Sequence, residues 1–154
     1  MIFIIEYYKT FLRKLCIMVK FSCKRKGLTT LKGIFFPKNV TELDCSFNQL
    51  TSLKHCPLSV TKLYCSDNHL TSLKHCPPNI TKLICSNNQI TSLEFCPHNV
   101  TILNCYNNQI SSLEHCPPNV TELDCYNNQI TSLEHCSPNI TTLYCDNNPI
   151  QPLL

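Results

Sequence analysis

The segment VTELDCYNNQITSLEHCSPN, from Val120 to Asn139, recurs in close copies every twenty residues along the chain. The six copies begin at Val40, Val60, Ile80, Val100, Val120 and Ile140, and the last copy is incomplete. A strict period of this length indicates a repeat architecture, in which each unit buries its apolar side against its neighbours. We number the positions of each repeat from 1 to 20, starting at these six residues.

Apolar residues and cysteines recur at fixed positions of the repeat. In the fifth copy they are Val120, Leu123, Cys125, Ile130, Leu133 and Cys136, at positions 1, 4, 6, 11, 14 and 17. Positions 4 and 6 alternate as in a short β-strand with one buried face. An Asn-rich bend follows, and the proline near the end of the repeat disfavours a helix there. The pattern therefore predicts one short strand per repeat, followed by a bend and a non-helical return segment.

Asparagine occupies position 9 of every repeat. These residues are Asn48, Asn68, Asn88, Asn108, Asn128 and Asn148. The chain turns away from its strand here and leaves backbone polar groups inside the molecule, where they need partners. A buried carboxamide supplies two donors and an acceptor, so it can bind its own bend and the next one. We predict a structural Asn ladder of these side chains.

The pattern LxxLxCxxNxLxxL resembles that of the leucine-rich repeat family. Its twenty-residue length is similar to the shortest class of that family, which occurs in secreted bacterial effectors and in large DNA viruses. The resemblance covers roughly residues 18–154. It implies a mainly β solenoid, with a curved parallel sheet on the concave side and loop or extended segments on the convex side. It also implies that a partner protein docks on the concave side.

The N-terminal part departs from the repeat pattern. Residues 18–39 keep the apolar spacing of one more repeat, but Lys26 stands at the Asn position, so we interpret them as a degenerate first repeat. Residues 1–17 have the apolar and polar stripes of an amphipathic helix, and we predict a cap that covers the first repeat. Attachment of this helix to a membrane surface is the alternative. Residues 40–154 hold the six repeats.

Eleven of the 13 cysteines form two columns, at positions 6 and 17. Disulfide-rich secreted domains are short chains stapled by their cysteines, whereas these cysteines follow the repeat and take core positions. We expect buried, reduced thiols that pack as small apolar side chains. Reduced thiols imply a reducing compartment, which we take to be the cytoplasm, including that of a host cell.

Histidines form a third column, at His55, His75, His115 and His135. Neighbouring residues of an extended segment point to opposite sides, so His115 and Cys116 do not readily share one metal ion. We expect no metal site. A metal- or redox-responsive structural protein that uses the Cys and His columns remains the alternative function.

The composition argues against enzymes and membrane proteins. Only two glycines occur, Gly27 and Gly33, so the chain holds no glycine-rich phosphate-binding loop. No cysteine is set apart from its column by a neighbouring base, as a catalytic nucleophile would be. No apolar run approaches the ~18 residues of a membrane span. We predict a non-enzymatic protein without a cofactor.

Variation among the repeats points to a binding surface. Position 2 is always Thr, whereas positions 3, 5 and 7 vary and alternate with buried residues, so they should project from the strands. Exposed aromatic and apolar residues flanked by charge are typical of an interface core. We predict that the partner-binding residues are Lys62, Tyr64, Lys82, Ile84, Ile102, Asn104, Tyr106 and Tyr126.

Charge is divided unevenly along the chain. Residues 1–38 hold nine Lys or Arg against one Glu, a net charge of +8, whereas residues 39–154 hold four against nine acids, a net charge of −5. A basic end can contact nucleic acid, but the motifs of dedicated nucleic-acid readers are absent from the sequence. We therefore expect a protein partner, rather than nucleic acid, a membrane or a small-molecule substrate.

Overall fold

The computed structural model describes residues 18–151, which form one seven-stranded parallel sheet. Its strands are β1 (Val19–Ser22), β2 (Val40–Asp44), β3 (Lys62–Tyr64), β4 (Lys82–Ile84), β5 (Ile102–Asn104), β6 (Glu122–Asp124) and β7 (Thr142–Tyr144). They stand in sequence order, and the same repeat positions pair from strand to strand. The predicted solenoid with one strand per repeat is confirmed. The described residues contain no helix, and the predicted cap helix falls outside them.

A single core runs through all the repeats. In the fourth repeat its members are Val100, Leu103, Cys105, Ile110 and Leu113, each at most 1% exposed. Burying one such aliphatic side chain contributes about 1.5–3 kcal/mol relative to leaving it in water. Because each repeat adds the same set of side chains, stacking of the repeats, rather than any single strand, stabilises the sheet.

The chain leaves each strand through a left-handed residue at position 8. These residues are Phe47, Asp67, Asn87, Asn107, Asn127 and Asn147, with φ between 52° and 57°. After glycine, Asn and Asp tolerate this conformation best, because a short polar side chain can form local hydrogen bonds. Five of the six residues are Asn or Asp, so the bend forms there without glycine, and Phe47 is the exception to this preference.

Threonine at position 2 binds the preceding repeat twice. The backbone N–H and the Oγ1 hydroxyl of Thr101 both donate to the carbonyl oxygen of Thr81, at 2.8 and 3.2 Å. The same pair of bonds joins Thr61 to Thr41. Thr41 begins the column, and its buried Oγ1 has no hydrogen-bond partner within the described part of the chain. The paired bonds explain why position 2 is always threonine.

The degenerate N-terminal repeat differs from the prediction at its first apolar residue. Met18 is 50% exposed, and Val19 pairs with Val40 because the register shifts after Val19. Phe21 packs against the core, and its ring meets that of Phe36 edge-on, with centroids 5.4 Å apart. The shift places Met18 outside the core that its spacing predicted.

Candidate functional site

The strands carry two columns of partly exposed side chains on the face opposite the core, which we call the strand face. Position 3 contributes Glu42, Lys62, Lys82, Ile102, Glu122 and Thr142, and position 5 contributes Asp44, Tyr64, Ile84, Asn104, Asp124 and Tyr144. The in-register pairing sets each residue beside its counterpart in the next repeat, as Tyr64 is set beside Ile84. Neighbouring side chains therefore follow the strand spacing of about 4.8 Å.

Six of the eight predicted binding residues lie together on three adjacent strands. They are Lys62 and Tyr64 on β3, Lys82 and Ile84 on β4, and Ile102 and Asn104 on β5, all partly exposed. The other two, Tyr106 and Tyr126, follow β5 and β6 at position 7, at the margin of the strand face. The Nζ atom of Lys82 lies 6.0 Å from the centre of the Tyr64 ring.

Position 7 does not always project from the strand face. The prediction is wrong for Ser46 and Ser86, which are 5% and 2% exposed. The strands end at position 5, so position 7 already belongs to the bend, and a small side chain fits inside it. The Ser86 hydroxyl forms a 2.8 Å hydrogen bond with that of Ser66. The larger Tyr126 stays outside and is 41% exposed.

The N-terminal end of the strand face carries paired charges. The Lys20 Nζ lies 3.1 Å from a carboxylate oxygen of Glu42. The Lys24 Nζ lies 4.0 Å from Asp44 and also 5.0 Å from the centre of the Phe47 ring. Lys20 and Lys24 are therefore already paired with groups of the same chain.

The C-terminal end of the strand face carries tyrosines and carboxylates. They surround a depression of about 310 Å³, lined by Tyr106, Asn107, Asp124, Tyr126, Tyr144 and Asp146, which we call the acidic depression. A second depression of about 230 Å³ adjoins it and shares Asp124 and Tyr144. Tyr106 and Tyr126 are among the residues predicted from the sequence, whereas Tyr144 and Asp146 are not. Their positions, 5 and 7 of the last repeat, carried the signal.

Hydrogen bonds fix the walls of the acidic depression. The Asn147 Nδ2 donates to the phenol oxygen of Tyr126 at 2.6 Å. The carboxylate of Asp124 accepts from the Asn104 Nδ2 at 2.9 Å and from the backbone N–H of Tyr126 at 3.2 Å. The Asn87 Nδ2 donates to the phenol oxygen of Tyr106 at 3.2 Å. Two rings and one carboxylate are thereby oriented before any ligand arrives.

The position 9 asparagines bind two repeats at once. The Nδ2 of Asn88 donates to the carbonyl oxygens of Cys85 and Ser86 in its own repeat and of Cys65 in the repeat before. Its Oδ1 accepts the backbone N–H of Leu70 at 2.9 Å. The adjacent repeat that it contacts is thus the preceding one. The same bonds recur at Asn68, Asn108, Asn128 and Asn148.

A second, exposed column of side-chain hydrogen bonds runs along position 8. The Asn107 Nδ2 donates to the Oδ1 of Asn87 at 2.8 Å, and Asn127 donates to Asn107 in the same way. The Asn87 Nδ2 also reaches a carboxylate oxygen of Asp67 at 3.2 Å. This column of hydrogen bonds was not predicted from the sequence. Its only signal was the repeated Asn-Asn pair at positions 8 and 9.

The cysteines are free thiols in the described residues, and those at position 6 are fully buried in five repeats. Burial disfavours the thiolate and raises the pKa of Cys85 to about 12. The column at position 17 is less uniform than predicted, since Cys56 and Cys96 are buried but Cys76, Cys116 and Cys136 are partly exposed. A protonated thiol is a poor nucleophile and a poor metal ligand.

The predicted His column is exposed at His55, His75, His115 and His135. Across residues 18–151, no group of three or more His, Cys, Asp or Glu side chains is arranged to hold a metal ion. In the same stretch, no helix is long and apolar enough to cross a membrane.

Comparisons with known proteins place these features in context. The family described as "Leucine Rich repeats (2 copies)" matches residues 78–116 and 118–154. The LRR domain of a Shigella effector has a similar structure, with a TM-score of 0.75 and 29% identity over 88% of this chain and 61% of that one. YopM from Yersinia enterocolitica gives a TM-score of 0.62 and 27% identity over 86% of this chain and 34% of its own.

An internalin C2 from Listeria monocytogenes shares the fold, with a TM-score of 0.62 and 24% identity over 88% of this chain and 74% of that one. No curated protein matches the chain in sequence. This chain spans less than two thirds of the length of the Shigella and Yersinia structures.

Proposed function

Since the chain is a leucine-rich repeat protein similar to bacterial effectors, we propose that it binds a partner protein through its concave strand face and has no enzymatic activity. The observation that supports this most is the cluster of partly exposed side chains on β3, β4 and β5, with Tyr64, Ile84 and Ile102 at its centre. Aromatic and apolar anchors surrounded by charge carry most of the binding energy in protein interfaces.

The array suits binding because it is already ordered. The strands are held in register, so the side chains of Tyr64 and Ile84 stand on a rigid backbone before a partner arrives. Ordering a flexible side chain at an interface costs about 0.5–1.5 kcal/mol, and a preformed surface avoids part of this cost. Lys62 and Lys82 flank the apolar residues and supply the charged rim of the same surface.

The similarity to effector structures supports a finer proposal about the setting. We propose that the partner is a host protein and that binding takes place in a host cytoplasm, where thiols stay reduced. The buried, protonated Cys column is suited to such an environment.

An affinity pull-down from cell lysate tests the proposed function, with reductant and chelator present. The full chain is compared with a strand-face variant that carries Tyr64→Ala, Ile84→Ser, Ile102→Ser and Tyr106→Ala. A matched control changes four exposed residues of the return segments, through His75→Ala, Phe95→Ser, His115→Ala and His135→Ala. Circular dichroism and thermal unfolding verify that each variant is folded.

We expect a partner that the full chain and the control retain and that the strand-face variant loses. Equal retention by all three proteins would place the interface outside the strand face. A partner captured only when the chelator is omitted would instead favour the metal-responsive alternative.

A further inference from the structure

We propose that the acidic depression binds an arginine side chain presented by the partner, an inference that rests on the proposed function of the strand face. The depression combines two features that an arginine recognises. Asp124 and Asp146 supply negative charge, and Tyr106, Tyr126 and Tyr144 supply aromatic faces.

The charge of this end of the molecule calls for a cation from outside. Residues 83–154 contain six Asp or Glu and no Lys or Arg. Lys82 lines the adjoining depression together with Asp124, but within residues 18–151 it forms no ion pair. Both ion pairs of the described residues lie at the opposite end, at Glu42 and Asp44. Complementary charge steers a partner to such a surface and fixes its register.

The carboxylates keep free capacity for hydrogen bonds. Asp124 accepts one bond at each oxygen, from Asn104 and from the backbone of Tyr126. An ionised carboxylate offers about four acceptor sites, so Asp124 retains room for further donors. The side chain of Asp146 accepts no hydrogen bond from any other described residue.

The tyrosines select the kind of cation. A guanidinium group is planar, stacks on aromatic rings and donates two parallel hydrogen bonds to a carboxylate, whereas an ammonium group does neither as well. Cation–π contacts become stronger as the site excludes water. The depression of about 310 Å³ lies at the lower end of the range for ligand sites, about 300–1,000 Å³. It therefore suits one long side chain rather than a larger ligand.

Preorganisation supports the assignment. The bond from Asn147 to the Tyr126 phenol oxygen and the bond from Asn87 to the Tyr106 phenol oxygen hold two rings at the depression. An arginine that enters does not have to order these side chains, which lowers the cost of binding.

An NMR titration of the isotope-labelled full chain tests the proposal without any knowledge of the partner. The probes are N-acetyl-arginine methylamide and its neutral isostere, N-acetyl-citrulline methylamide. One variant carries Asp124→Asn and Asp146→Asn. A charge-matched control carries Glu114→Gln and Glu134→Gln, which are exposed residues of the return segments.

We expect the arginine probe to shift the amide signals of Tyr126, Tyr144 and Asp146 with saturation, and the citrulline probe to leave them in place. The Asp variant should weaken arginine binding about fivefold, as for the loss of an exposed ion pair, while the Glu variant binds as the unaltered chain does. Equal shifts with both probes, equal weakening in both variants, or no saturable shift would overturn the proposal.

This titration and the pull-down fail independently. If the arginine probe does not bind but the strand-face variant still loses its partner, the proposed binding function is supported and the proposed arginine site is refuted. If the probe binds but no partner depends on the strand face, the depression recognises arginine without the proposed interface.

Discussion

The side-chain oxygen of Asn108 accepts the backbone N–H of Ile90 at 2.9 Å, although the two residues belong to successive repeats. The same carboxamide donates to the carbonyl oxygens of Cys85, Cys105 and Tyr106. One buried side chain thus satisfies backbone groups on both sides of a repeat boundary, so the Asn ladder joins repeats as well as shaping bends.

Asn108→Ala should destabilise the protein by about 1–3 kcal/mol, because buried backbone groups lose their partners. Gln109→Ala is the control, since Gln109 is exposed and, within residues 18–151, only its backbone N–H forms a hydrogen bond. The urea midpoint of each variant measures the effect. Equal midpoints for the two variants would contradict the bridging role of Asn108.

The left-handed bend makes a prediction at Asn107, where φ is 52°. Asn107→Val should be less stable than Asn107→Gly by about 1–2 kcal/mol, because a β-branched residue is strained at positive φ and glycine is not. Both variants lose the side-chain bonds to Asn87 and Asn127, so the comparison isolates the backbone. Thermal or urea unfolding gives the difference, and equal stabilities would refute the strain at position 8.

The threonine column predicts opposite effects for one substitution at two sites. Thr101→Val should cost about 0.5–1.5 kcal/mol, because the hydroxyl bond to the Thr81 carbonyl is lost. Thr41→Val should leave stability unchanged or raise it, because the buried Thr41 hydroxyl has no partner in residues 18–151. Both residues are β-branched, so their strand preferences match. A larger loss at Thr41 than at Thr101 would contradict this account.

The buried thiols predict a loss of stability at high pH. Burial raises the pKa of Cys85 from its usual 9.0 to about 12. Above pH 9 the unfolded chain therefore binds fewer protons at this site than the folded chain, and the stability contributed by the neutral thiol falls until the pH passes the folded pKa. Cys56 loses its contribution to stability over the same pH range as Cys85, since its pKa is also about 12.

Urea unfolding at a series of pH values from 7 to about 10.5 measures this slope. The paired replacement Cys56→Ala and Cys85→Ala should make this slope less steep, and the other buried thiols should account for the rest of it. The double variant is less stable at neutral pH because it loses buried volume. An unchanged slope would show that Cys56 and Cys85 do not contribute to the loss of stability at high pH.

The sequence predicted the parts of the fold that depend on period and polarity. Leu103 and Cys105 point into the core because alternation along a strand allows nothing else once one face is buried. The burial of Ser86 escaped prediction, because alternation no longer applies once the strand has ended at Ile84. The exposure of Met18 was not predicted either, because the spacing of apolar residues does not indicate a shift in strand register.

The candidate site was predictable only in part. Lys62, Tyr64 and their neighbours share one face by alternation alone. The acidic depression instead depends on how positions 5 and 7 of different repeats converge around the bend, as Asp124 and Asp146 do. Position 7 lies beyond the end of each strand, so alternation along the strand no longer indicates where its side chain points.

Because each asparagine of the Asn ladder binds the preceding repeat, the two ends of the solenoid are not equivalent. In each repeat one backbone N–H depends on the next repeat for its acceptor, as the N–H of Ile130 donates to the Oδ1 of Asn148. If two adjacent repeats separate, this backbone N–H is left without an acceptor on the N-terminal side of the break. On the C-terminal side the asparagine still donates to its own bend, as Asn148 does to the carbonyl oxygen of Cys145. The two ends of the solenoid therefore expose different groups when a repeat detaches: loss of a C-terminal repeat leaves a bend N–H unpaired, whereas loss of an N-terminal repeat leaves the N–H and hydroxyl of a threonine unpaired, as those of Thr101 would be without Thr81.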